Sequence, residues 1–444
     1  MVFKNIKKKI KVSLIVFFLI LLALALKKYD SILSNLYNNL NNNQKTIALS
    51  ILSNEKTTLK IFNDEKTKFL PETEQLLLNF EKIKIKNFEK KNESKNNIGK
   101  WAPYKNKYKS FYIEAHNNKI IIMDPKGNFF FTELNQINDK NVNLTEIKKN
   151  LNVNIDKARD FLIYDNFIFL SAIIKENNCQ KIAIYKSNLN LENLNFIELF
   201  SKKFCDEDLN LQAGRIEIFV DENFNKKILL STNTDETYYQ SQKNYVSLAQ
   251  KNESIFGKII SIDILDGTHE IYSKGHRNIL GIYFDKVSKN ILASENGPKG
   301  GDEINLIKQG KNYGWNISSY GEKYYNDGNN LIDYKKSHKD FGFEEPIYTF
   351  ITAIAPTEII KIEKNKFSEY WDDNYILGSL VGRSLYRIKF QFDLKRILFI
   401  EKIYLGERVR DLYFDNNNEM ILMALEDSGS IGILKVKRET NNKN

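Results

Sequence analysis

Short apolar runs, each ending at a turn residue and followed by a second run that closes on a small side chain, recur from about residue 110 onward. Ile120 to Met123 turns at Asp124-Pro125-Lys126-Gly127 into Phe129-Phe130-Phe131-Thr132, and Phe161 to Tyr164 turns at Asp165-Asn166 into Phe167 to Ser171. Ile216 to Asp221 leads to Ile228-Leu229-Leu230-Ser231, and Gly281 to Asp285 leads to Ile291-Leu292-Ala293-Ser294. A fifth unit centres on Tyr375 to Ser379, and the sixth runs from Leu412-Tyr413-Phe414-Asp415 into Met420 to Ala424. Runs of this length, bounded by Asp, Asn and Gly, predict paired strands joined by tight turns.

The closing small residues Thr132, Ser171, Ser231, Ser294, Ser379 and Ala424 are spaced by 39, 60, 63, 85 and 45 positions. A four-stranded blade takes roughly 40 to 50 residues, and the longer intervals leave room for loops. The expected fold class is therefore all-β, a six-bladed propeller over residues 106–437 with a short tail at 438–444. Function is expected on the face where loops from every blade gather around the channel. A β-sandwich, or several small β domains, is the competing architecture.

The N-terminus reads differently. Lys4, Lys7, Lys8, Lys9 and Lys11 precede an apolar run from Val12 to Leu26 that ends at Lys27 and Lys28. Positive charge ahead of the run predicts a cytoplasmic N-terminus, with the rest of the chain carried across the membrane. The run is shorter than the ~20 residues that usually span a bilayer, although flanking lysines can snorkel. Ala23-Leu24-Ala25 is a candidate cleavage site lacking a polar spacer, so residues 1–28 are read as a transmembrane anchor helix, with a signal peptide as the alternative. Residues 29–105, rich in Asn and Lys, are read as a partly helical stalk with a strand-like stretch near Leu76 to Ile85. The propeller is then expected on the periplasmic or extracytoplasmic side, membrane-anchored or secreted.

Composition adds little to this. The aromatic content of 12% favours sheet, and the net charge of +10 is spread through Asn-rich sequence without forming a basic stripe, so no nucleic-acid partner is expected. Two cysteines, Cys179 and Cys205, exclude a Cys-rich metal site and leave either one disulfide or two buried thiols.

The densest cluster of chemistry is Gly275-His276-Arg277-Asn278, followed by Glu295-Asn296-Gly297-Pro298-Lys299-Gly300-Gly301-Asp302-Glu303 and by Asn312-Tyr313-Gly314-Trp315. Glycine- and proline-rich turns that present carbonyls beside two carboxylates suit a hard cation such as calcium, and Arg277 suits a carboxylate-bearing ligand. A solvated turn would look the same if the Asp-Glu pair stood alone. The order of these motifs resembles the glucose/sorbosone dehydrogenase family. Weaker matches accompany it at Ala213-Gly214-Arg215-Ile216, Leu248-Ala249-Gln250, Ile354-Ala355-Pro356, Gly378-Ser379-Leu380 and Arg408-Val409-Arg410-Asp411.

The resemblance implies a six-bladed propeller that holds pyrroloquinoline quinone (PQQ) over its channel and oxidises sugars or aldoses, with a small-molecule sugar or aldehyde as the expected substrate. Arg277 and Asn278 would contact the quinone, and Arg408 and Arg410 would supply a second clamp. The carbonyls of Gly297 and Pro298 would bind the catalytic calcium, Asp302 would support the base, and Glu303 and Tyr313 match positions that hold structural calcium. Three departures stand against full activity. The family's base belongs to a His-x-Gly-Gly-Arg pattern, and Leu211 occupies its place in Leu211-Gln212-Ala213-Gly214-Arg215; loss of a general base typically costs ~10²- to 10⁴-fold in rate. Ile279-Leu280 stands where Pro-Gln is usual, and Asn296 replaces a histidine. Two functions follow: a quinone- and calcium-dependent oxidoreductase, or a non-catalytic propeller that binds a saccharide or a partner protein at the cell envelope.

Overall fold

The computed structural model describes residues 78–86, 109–137, 140–177, 179–205, 213–234, 247–323 and 334–437. The expected anchor helix, most of the stalk, the tail and Leu211 lie outside them. Among the described residues no helix is long and apolar enough to cross a membrane.

Among the described residues there are six sheets, each built on an antiparallel set of four strands, which is the six-bladed propeller expected from the repeats. Their first strands are Tyr112–His116, Ile155–Tyr164, Ile216–Val220, Ile279–Asp285, Pro356–Lys361 and Val409–Asp415, and each touches the next around a ring. These are the inner strands of blades 1 to 6.

The second strand of every blade is buried on both faces. Ile120 to Met123, Ile168 to Leu170, Ile228 to Leu230, Ile376 with Leu377, and Ile421 to Ala424 are all fully sequestered. Each blade packs on both of its neighbours, so alternation is lost there and a continuous apolar run marks a strand. The turn aspartates act through their own side chains: Asp221, Asp285 and Asp415 each accept backbone N–H bonds from residues two to four positions on. Such Asx turns explain why Asp recurs between the first and second strands.

Two expectations shift. The strand-like stretch assigned to the stalk is the strand Leu78–Ile85, which pairs antiparallel with Ser430–Val436 and so completes blade 6. It also pairs in parallel with Asn141–Val142 from the blade 1 region, fastening the last blade to the first. The first repeat was displaced by one strand, because Ile120 to Thr132 covers the second and third strands of blade 1; its inner strand, Tyr112–His116, carries Glu114 and breaks the apolar pattern.

The cysteines form a disulfide, Cys179–Cys205, across the two outer strands of blade 2. Cross-linking positions 26 residues apart removes denatured-state freedom worth about 3 kcal/mol.

Candidate functional site

Arg277 stands in the loop ahead of the inner strand of blade 4. Its backbone N–H donates to the Glu295 carboxylate, and its Nη1 donates to the carbonyls of Asn296 at 2.8 Å and Gly297 at 2.7 Å. The guanidinium lies over the Trp315 ring, 5.3 Å from its centre, which favours a cation on that face. Arg277, Glu295, Asn296, Gly297, Glu303, Tyr313, Trp315 and His338 line one small cavity.

Asp302 secures the turn beneath it. Its carboxylate accepts from Gly297 N at 2.9 Å, Ile354 N at 2.7 Å and Ala355 N at 2.8 Å, joining the Gly-Pro turn to the loop that enters blade 5. Burial raises its pKa, with the three N–H donors and Arg277 opposing. This geometry makes Asp302 a holder of loops.

Several polar atoms around Arg277 are buried without a partner: Asn278 Oδ1, Asn296 Oδ1 and Trp315 Nε1. Orphaned groups of this kind are costly unless something fills them. Trp315 Nε1 and the Arg277 guanidinium are donors that a ligand's carboxylates or carbonyls would satisfy, whereas the two amide oxygens call for a ligand N–H or O–H, so the set fits a quinone that carries carboxylates together with a ring N–H.

Calcium fits less directly. The Gly297 carbonyl already accepts from Arg277, so a cation there exchanges with the guanidinium. At the second expected site, Tyr313 turns its hydroxyl away to the Leu306 carbonyl, and its own carbonyl pairs with His338 Nδ1 at 3.0 Å. Glu303 is held by Asn305 at 3.1 Å and faces His338 Nε2 at 3.5 Å. Burial, with Glu295 beside it, pushes the Glu303 carboxyl well above the usual range. Among the described residues no group of three or more His, Cys, Asp and Glu side chains is placed to hold a metal.

Arg408 and Arg410 form a separate cluster. Their Nε atoms bracket Glu426, at 3.0 Å and 2.5 Å, and the nearby arginines hold that buried carboxyl below its ordinary pKa. The two arginines expected as a second clamp are brought together around a counter-charge, Glu426, that sequence reasoning missed. His276, fully buried, has both ring nitrogens paired, with Glu295 and with Ser273, and stacks on Tyr313.

A model described as glucose/sorbosone dehydrogenase matches residues 165–434, more than half of the 444-residue chain. The chain belongs to this family. An aldose sugar dehydrogenase of Escherichia coli is 28% identical over 166 residues, 36% of this chain and 43% of that protein. The aligned stretches span less than half the length of the curated relatives matched, at 46% and 43%. The soluble E. coli aldose sugar dehydrogenase in its apo form superposes with a TM-score of 0.60 at 18% identity, covering 81% of this chain and all of that one. The PQQ-bound aldose sugar dehydrogenase of Streptomyces coelicolor gives 0.52 at 16% identity, covering 82% and 99%. At those identities the superpositions speak for the fold.

Proposed function

We propose that the chain binds pyrroloquinoline quinone on the face carrying Arg277 and Asn278 and uses it to oxidise a sugar or aldehyde. The observation that carries this reading is Arg277, a fixed cation lining a small cavity and held over Trp315, whose buried Nε1 donor has no partner. The quinone held by Arg277 and Asn278 would supply a hydride acceptor for the substrate carbon. Arg277, braced over the Trp315 ring, binds a carboxylate through parallel N–H donors, and Asp302 keeps the Gly297 turn and the Ile354 loop in register. Arg408 and Arg410, aligned by Glu426, supply the second positive edge. Calcium enters this proposal at the carbonyls of Gly297 and Pro298, in exchange for the Arg277 guanidinium.

The hydroxyl proton of the substrate lacks its usual acceptor, since Leu211 stands at the position of the family's histidine. That residue favours a second reading, a propeller that binds a saccharide or a partner protein without turnover. Purified protein supplied with PQQ, calcium and a panel of aldoses separates the two. Dye reduction above the protein-free rate supports the oxidoreductase, and none with any aldose leaves the binding protein.

An extracytoplasmic location is proposed with the same reading. It is supported by the Cys179–Cys205 disulfide, which persists in oxidising compartments, and by the Val12 to Leu26 run behind its lysines.

A further inference from the structure

All six inner strands meet one side chain. Arg215, only 4% exposed, leads into the inner strand of blade 3. Its Nη1 reaches Asp160 of blade 2 at 3.0 Å, Asp411 of blade 6 at 2.7 Å and Glu358 of blade 5 at 3.2 Å. Nε donates to the Leu280 carbonyl of blade 4 at 2.8 Å, and Nη2 donates to the Arg410 carbonyl at 2.9 Å. Tyr112 of blade 1 lies against the guanidinium, its ring centre 5.1 Å away.

The carboxylates it meets reach further. Asp411 accepts from Ile113 N and Asp160 accepts from Ile216 N, so blades 1 and 6, and blades 2 and 3, are pinned pairwise through the same cluster. Gly214, at φ +145°, leaves no room for a side chain against Arg159, which fixes the entry of the chain into Arg215. A planar guanidinium presents five donors in a rigid fork, which a lysine cannot copy.

Two of the tethered points adjoin the candidate site: Leu280 follows Asn278 by two residues, and Arg410 is one of the two clamp candidates. We propose that Arg215 is a positioning residue: without touching a ligand, it sets the separation between the Asn278 loop and the Arg408–Arg410 loop across the axis. Its functional half rests on the quinone reading above.

The test compares Arg215→Met and Arg215→Lys with Leu377→Ala, a cavity in the blade 5 core that lowers stability without approaching the axis. Two readouts are taken well below the melting temperature of every variant. The first is backbone hydrogen exchange. Segments 278–282 and 408–412 should exchange ~10-fold faster or more in Arg215→Met, less so in Arg215→Lys, and at the wild-type rate in Leu377→Ala. The second is PQQ affinity, which should fall by roughly tenfold or more in Arg215→Met and stay within about twofold in Leu377→Ala. Equal exchange of those two segments in Arg215→Met and Leu377→Ala would overturn the proposal, as would equal quinone affinity. If the wild type binds no quinone, the functional reading falls, and exchange alone decides the positioning role. If the methionine variant does not fold, the lysine variant carries both readouts.

Discussion

Glu217, on the inner strand of blade 3 beside Arg215, should make this propeller less stable as pH rises through neutrality. Burial pushes its carboxyl up to about 8; Lys286 and the Ile218 N–H pull the other way, and Asp160 adds to the rise. In the unfolded chain the group titrates near 4.3. The folded state therefore holds the proton more tightly, so this contribution to stability is complete below about pH 4 and is lost as pH climbs towards 8. A carboxyl raised from 4.5 to about 8 corresponds to a ceiling of ~5 kcal/mol. The side chain is only partly shielded at the wall of the axial channel, and water there reduces the figure to ~2–3 kcal/mol. Glu217→Gln keeps the shape and removes the titration. Urea unfolding at about pH 4 and about pH 9 should show the variant close to wild type at the lower pH and ~2–3 kcal/mol more stable at the higher. Glu114 and Glu358, also raised chiefly by burial, bend the wild-type profile the same way. Parallel profiles for the two proteins would refute the reasoning, and so would a wild type that gains stability towards pH 9.

Asp302→Asn should lose ~2–3 kcal/mol, since its amide group would point at backbone N–H donors that now meet a carboxylate; chemical denaturation measures this, with a conserved m-value marking an intact fold. Reducing Cys179–Cys205 should lower stability by about 3 kcal/mol, read as a fall in melting temperature with dithiothreitol that a Cys205→Ser variant does not show. Leu211→His should raise dye-coupled sugar oxidation by ~10²-fold or more if the missing base limits the rate, and an unchanged rate would place the limit elsewhere.

The blades were legible because a strand packed between two neighbouring blades must be apolar on both faces, as Ile120 to Met123 and Ile421 to Ala424 are. The inner strands were less so. They carry charge into the axis, and the apolar pattern fades at Glu114 and Glu358. A signal was nonetheless present: Glu217 and Asp411 each sit four residues before a turn aspartate, Asp221 and Asp415, with Gly281 in that place ahead of Asp285. Superimposing the repeats on their turns would have shown acids recurring at one level. Asp160 stands five residues before Asp165 because the blade 2 hairpin closes on a two-residue turn, with Tyr164 paired to Phe167 and Asp165 in the turn itself. The Arg277 loop was read from its motif, whereas Glu426, Glu295 and His338 are carried on other strands and loops of the same blades, and strand pairing within the blade brings them to Arg410, His276 and Glu303.

The most direct test of the central claim is a calorimetric titration of the protein with PQQ, with and without calcium, alongside Arg277→Ala. The account predicts saturable binding of one quinone per chain, strengthened by calcium and weakened roughly tenfold or more in the variant. No heat of binding under either condition, or equal affinity in Arg277→Ala, would contradict it.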